Sequence, residues 1–413
     1  MSGTKGKKAD TKRVWAVFIG CMLYYGALMG VYNCVGVLIT GIMNAEGFTS
    51  SSLSGYYTAL NLFQAIGMLV TAGFLKRRSI RLVTACVGIC TTVSLLLMCV
   101  YSRPWMWIVS GVISGIGNSL SMLLPTTVIN AWFVKKKGTF LGIVTMLSGI
   151  LGMILNPLVA EYITAKGWRS AAVLLGVSSL VLNLTAACLL VKRPRDVGAV
   201  PYGGEETDPV PTDAGRVSRL GTEKITLREL GVYLFVLLTV SMTAKGIQMT
   251  SYVPQYSTSL GYPLEIGGRL TSAIMIGNFS AKLLYGVVCD RIGAWPSVQV
   301  FLGIIGTAFL LLSLFGGVLP VMYAACVLLG FSYMSGLALS MVAVELFDKD
   351  RFETQYSRCS MFGTLATFPI PFLVSYVFDL TGSFRLIFMT YACLLYLGIL
   401  LVWLRHRLGV VRK

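Results

Sequence analysis

Apolar residues gather in long runs along this chain, separated by short polar stretches, and the runs number twelve. They cover roughly 14–41, 53–75, 81–101, 105–132, 139–163, 170–191, 230–258, 266–288, 296–317, 319–346, 357–380 and 384–404. About twenty apolar residues cross a hydrocarbon core of about 30 Å as a helix, which satisfies its own backbone hydrogen bonds where no water is available. The pattern therefore predicts an all-α membrane protein with twelve transmembrane helices. The first run is too long for a signal-peptide core and has no convincing small-residue cleavage site, so it is taken as the first span.

Between Lys192 and Arg228 the pattern changes to Pro, Gly, Asp, Glu and Arg, as in Gly203-Gly204-Glu205-Glu206, and predicts a solvated linker. The expected organisation is a tail at 1–13, a six-helix bundle at 14–193, a linker at 194–228, a second six-helix bundle at 229–404 and a tail at 405–413. The halves also repeat. Gly73, Arg77 and Arg78 recur as Gly286, Asp290 and Arg291, Trp132-Phe133 as Leu346-Phe347, and Gly167 with Arg169 as Gly382 with Arg385. Nearly constant offsets point to two pseudo-symmetric bundles joined as parallel repeats.

Composition agrees: 55% of the 413 residues are hydrophobic and 12% charged, too apolar a balance for a soluble chain of this length. The net charge of +17 would suit nucleic acid, but its distribution argues otherwise. Of 34 Lys and Arg residues, 27 fall in the tails and alternate loops on one side, 5 on the other, and 2 inside spans. This is the positive-inside bias, which puts both termini in the cytoplasm of what is expected to be a bacterial inner membrane. The basic residues then set topology and do not bind nucleic acid. The ten cysteines show no metal-ligand spacing and are expected to be small packing residues. No cofactor is expected, and the protein is expected to work as a monomer.

The two lysines inside spans are Lys245 and Lys282. An ammonium group in hydrocarbon is costly, so it normally faces a partner or a water-filled cavity. Lys282 has Asn278 one turn before it and Tyr285 one turn after it; Gln248 and Tyr252 continue the face of Lys245. Both lysines are candidates to bind a carboxylate. The competing reading of Lys282 is a structural cation held by another helix's carbonyls or acid. In the first half, Tyr32, Asn33, Asn118, Met122, Ser148 and Asn156 are candidate wall residues, with helix packing as the alternative for each. Gly111, Gly115, Gly142, Gly149 and Gly152 are expected to permit close helix contacts, and Pro157, Pro369 and Pro371 to kink their helices.

Several acids stand near span ends, Glu161, Glu345 and Asp379, and the one histidine, His406, lies in the tail. The spans thus hold no evident proton relay, which favours exchange of one anion for another over proton symport. An intramembrane enzyme would need a nucleophile with a base, or a metal cluster, and the sequence offers neither. A transport-inactive nutrient sensor is a further alternative.

Gly286-Val287-Val288-Cys289-Asp290-Arg291-Ile292-Gly293 resembles the loop signature of the major facilitator superfamily, and Gly73-Phe74-Leu75-Lys76-Arg77-Arg78 resembles a degraded first copy lacking the acid. The resemblance implies that Gly73, Arg77, Arg78, Gly286, Asp290 and Arg291 gate the cytoplasmic side. Asn130-Ala131-Trp132-Phe133 with Lys135-Lys136-Lys137-Gly138, Gly167-Trp168-Arg169, Pro194-Arg195-Asp196-Val197-Gly198 and Ser259-Leu260-Gly261 resemble the oxalate/formate antiporter family, related to monocarboxylate transporters. That resemblance places Lys282 where the family carries a substrate-binding cation. It sets Gly363 where a second cation stands, and small residues at Ser148, Ser332, Gly336 and Ser360 where bulky aromatics stand. It implies a carrier of small organic anions bulkier than oxalate, working by alternating access.

Overall fold

The computed structural model describes residues 11–121, 123–134, 137–203, 249–335, 338–339, 342 and 367–407. Its helices follow the twelve apolar runs. The first, α1, runs Thr11–Tyr25, passes through a π-helical turn at Gly26–Gly30 and continues as Val31–Glu46. Then come α2 (Ser50–Arg77), α3 (Ile80–Met98), α4 in two pieces (Trp107–Asn118 and Leu123–Trp132), α5 (Lys137–Lys166) and α6 (Trp168–Leu189). In the second half, α7 is described over Val253–Ser259, followed by α8 (Leu264–Ile292), α9 (Ala294–Phe315), α10 (Leu319–Leu329, then a tighter turn Gly330–Met334), α11 (Ile370–Thr381) and α12 (Arg385–Arg407). Seven of these spans are long and apolar enough to cross a membrane by themselves. The 19 residues of α3, at 1.5 Å per residue, give about 28 Å, close to the hydrocarbon thickness.

Turn chemistry explains several boundaries. Ser79 caps α3 by accepting from the Leu82 N–H at 3.4 Å. Single glycines join α5 to α6 and α8 to α9: Gly167 has φ +80° and Gly293 has φ +87°, values that a side chain rarely tolerates. One residue can therefore reverse the chain between two long helices.

The second half packs around one apolar core built from Tyr256, Phe301, Phe309, Phe384 and Phe388. The first half has two cores, one around Tyr56, Trp107 and Trp168 and another around Phe18, Trp132 and Phe133. Lipid supplies no hydrophobic drive between helices, so small residues and hydroxyls hold them together. A Cβ at Gly111 or Gly115 would collide with the backbone of α2, at Tyr56 and Leu60 respectively, as the spacing predicts. Ser94 and Ser110 exchange hydroxyl-to-carbonyl hydrogen bonds between α3 and α4 at 2.9 and 2.7 Å.

The linker departs from expectation. Its first residues are not merely solvated: Pro194–Val197 forms a tight turn with Pro194 buried, and Tyr202 pairs with the backbone just beyond α4. The Tyr202 N–H donates to the Trp132 carbonyl at 2.8 Å, and the Val134 N–H donates to the Tyr202 carbonyl at 3.0 Å. Aromatic contacts of Tyr202 with Phe133 and Phe140 explain why this stretch docks despite its polar neighbours.

Candidate functional site

With twelve alternating helices, the start of α1 at Thr11 and the end of α12 at Arg407 lie at one end of the molecule, here the termini end; the opposite one is the far end. Among the described residues, the most extensive contact along the seam between the halves is that of the antiparallel pair α5 and α8. Going from the far end inward, a Cβ at Gly268 would come within 2.8 Å of the Asn156 carbonyl, and the Ser272 hydroxyl donates to the Met153 carbonyl at 2.7 Å. A Cβ at Gly149 would lie 3.5 Å from the Asn278 amide nitrogen, and the Lys282 Nζ donates to the Thr145 carbonyl at 3.5 Å. The next step would pair Gly142 with Gly286. Among the described residues, nothing lies within 4 Å of a Cβ at either glycine. Lys282 thus makes the bond between α5 and α8 that stands nearest the termini end among those given for the described residues.

Around that point the side chains are polar. The Asn33 amide of α1 donates to the Ser148 carbonyl at 3.3 Å, and its oxygen accepts from the Tyr333 hydroxyl of α10 at 3.4 Å. Ser148 is buried, its hydroxyl donates to the Thr145 carbonyl at 2.9 Å, and Tyr25 of α1 lies beside it. The Asn278 amide reaches only the Met275 sulfur, at 3.8 Å, and its oxygen has no hydrogen-bond partner. The two ion pairs among the described residues, Arg169 with Glu46 and Arg269 with Glu161, lie elsewhere. Among the described residues, Lys282 uses one long hydrogen bond of the three its ammonium can donate.

The other expected site residues are more scattered. Tyr252 is buried near the far end, where its hydroxyl donates to the Pro371 carbonyl at 2.8 Å and accepts from Ser375 at 3.1 Å, and its ring lies 6.0 Å from that of Tyr57 across the seam. Tyr285 is fully buried, its ring edge-on to Phe301 at 5.1 Å. The stripe read from Asn278, Lys282 and Tyr285 thus divides: Asn278 and Lys282 meet α5, while Tyr285 packs against α9. Tyr32 lines a small cavity inside the first half with Tyr56, Ser114 and Asn118, with room for about one water. Lys245, Gln248 and Met122 lie outside the described residues, as do Ser360, Gly363 and Gly336.

The expected gating residues are at the termini end. Gly73 and Arg77 are on the last turns of α2 with Arg78 just beyond, exposed, and Gly286, Asp290 and Arg291 are on the last two turns of α8, the two charged ones exposed. In this conformation neither Gly286 nor Gly142 makes a close helix contact among the described residues, and for Gly142 this departs from the close contact expected of it.

The sequence did not single out Tyr25, Thr145 or Tyr333, and no signal marked them. Thr145 contributes only its carbonyl, which any residue could. Two helix irregularities near the site were also unmarked. The break in α4 after Asn118 and the tight turn of α10 at Gly330–Met334 fall at equivalent places in the two halves, given the repeat offset. Discontinuous helices at such depth free backbone groups and are recurrent features of transporter sites.

A model of the Major Facilitator Superfamily matches residues 17–347. The Aspergillus niger MFS-type transporter pynF is 24% identical over 300 residues, 71% of this chain and 64% of its own length, so the chain spans just under two thirds of that relative. Human monocarboxylate transporter 6 is 22% identical over 92% of this chain and 78% of its own. Among solved structures, nucleoside transporter NupG superposes with a TM-score of 0.70 at 12% identity, covering 97% of this chain and 99% of the other, a likeness of fold.

Proposed function

The chain belongs to the Major Facilitator Superfamily, and from that premise we propose that it is a secondary transporter of small organic anions, exchanging one carboxylate for another by alternating access. The observation that carries this reading is Lys282: a cation at the seam between the halves, with one long hydrogen bond and no acid paired to it among the described residues. Placing a charge at membrane depth costs about 3 kcal/mol on insertion scales. A carboxylate entering beside Lys282 would offset that cost, and Asn33, Asn278, Ser148 and Tyr333 would hydrogen-bond its uncharged end. Lys245 would supply a second charge. Tyr285 belongs to the packing that supports Lys282.

Both termini would face the cytoplasm, and a seam open on that side would be the inward-facing state. Loading the site neutralises the lysine and lowers the barrier to rocking of the halves. The finer kinship with oxalate/formate antiporters, resting on the loop residues, is part of this proposal. The small residues at Ser148 and Ser332 favour a substrate bulkier than oxalate.

Flux in proteoliposomes tests the reading. Labelled mono- and dicarboxylates should enter faster when the lumen is preloaded with unlabelled anion, and Lys282→Gln should cut uptake about 100-fold while the protein stays monodisperse. Normal counterflow in the variant would remove Lys282 from the site, and uptake strictly dependent on a pH gradient would replace exchange with proton symport.

A further inference from the structure

At the far end, Asp379 sits in the last turns of α11, and its carboxylate crosses the seam to the first turn of α2. The Ser50 N–H donates to one carboxylate oxygen at 3.1 Å, and the Ser51 N–H donates to the other at 2.8 Å. The Ser50 hydroxyl, instead of capping its own helix, donates to the Gln255 side-chain oxygen at 3.0 Å, a second bond across the seam. For its own helix Asp379 is misplaced, because a negative charge is unfavourable at a helix C-terminus and favourable at an N-terminus. The first turn of α2 carries no acid of its own. The carboxylate therefore serves a helix in the other half: it occupies two amide donors that α2 leaves free and that no residue of the first half satisfies. Both ion pairs among the described residues leave Asp379 out.

We propose that Asp379 is a positioning residue of the transport cycle, a cap supplied in trans that holds the far end shut and must release α2 each time that end opens. Opening breaks both of these bonds, so they bias the equilibrium toward the closed far end. The inference needs only two rocking halves and is independent of which solute is carried.

The test is a distance measurement between spin labels on p-acetylphenylalanine at the exposed positions 45 and 380, which leaves native cysteines in place. It requires no substrate, so its failure and failure of the anion reading are separate results. Asp379→Asn keeps one acceptor oxygen and should raise the long-distance population about tenfold, the range expected for charge-assisted hydrogen bonds. Ser51→Pro removes the donor from the other side at a place where helices accept proline. It should move the distribution the same way, and the double variant should go no further than the larger single change. Unchanged distributions in both single variants, or shifts that simply add, would overturn the proposal.

Discussion

The two ends of the molecule are held by different kinds of bond. At the far end, bonds between the halves stand beside those inside each half, such as Arg169 to Glu46: Asp379 to α2, Ser50 to Gln255, and the close approach of Gly268 to Asn156. At the termini end, what the structure describes runs within the first half. The Trp132 indole donates to the Val191 carbonyl at 2.8 Å, Lys192 donates to the Leu75 carbonyl at 2.6 Å, and Tyr202 pairs beside Trp132. The difference separates two quantities usually lumped together as stability. Bonds across the seam set how the halves are poised, whereas bonds inside one half set whether that half holds together.

Changes at the far end should therefore shift conformation, and changes at the termini end should shift melting. The largest effect is expected at Gly268, where even a Cβ meets the Ala160 side chain and the Asn156 carbonyl at 2.8 Å. Overpacking costs about 1–3 kcal/mol, so Gly268→Leu should deplete the closed far end roughly tenfold or more and slow transport accordingly. Gly286→Ala, at a position open among the described residues, should leave the distance distribution unchanged. If both glycine variants moved it equally, the contrast between the ends would fail.

Trp132→Phe comes next in size. It strands the buried Val191 carbonyl at a cost of about 1–3 kcal/mol and should lower the apparent melting temperature by several degrees without moving the 45–380 distance. A change in that distance would mean that the linker dock belongs to the seam.

Much of this architecture was legible beforehand because lipid imposes strong rules. Each apolar run had to be a helix, and the Gly111 and Gly115 spacing had to mark a close contact, here with α2. Lys282 could be marked as a candidate for the same reason, since a charge at that depth needs a function or a partner. What escaped was whatever depends on backbone. Thr145 acts through a carbonyl, and Asp379 binds amides 328 and 329 residues away, so neither leaves a side-chain pattern. Local spacing also left the contact of the Tyr285 ring with Phe301 of α9 unread, because a helical stripe says which residues are neighbours but not which adjacent helix each one meets. The docked start of the linker was hidden by its Pro and Gly content, although Tyr202 was the aromatic that fastened it.

The smallest effect should come from the ion pair that occupies, on α5 and α8, the place that the Asp379 cap occupies on α2 and α11. Arg269 and Glu161 stand 3.7 Å apart with both side chains more than half exposed, so water and salt screen them. Exposed pairs of this kind contribute less than about 1 kcal/mol. Arg269→Gln should therefore change the far-end distance distribution less than twofold, and that small change should vanish in high salt. The Asp379 cap joins a carboxylate to two backbone amides at 3.1 and 2.8 Å, shorter than the ion pair, and its effect should outlast that of the pair at the same ionic strength. If Arg269→Gln opened the far end as strongly as Asp379→Asn, long-range charge pairing and not the trans cap would be what closes this end.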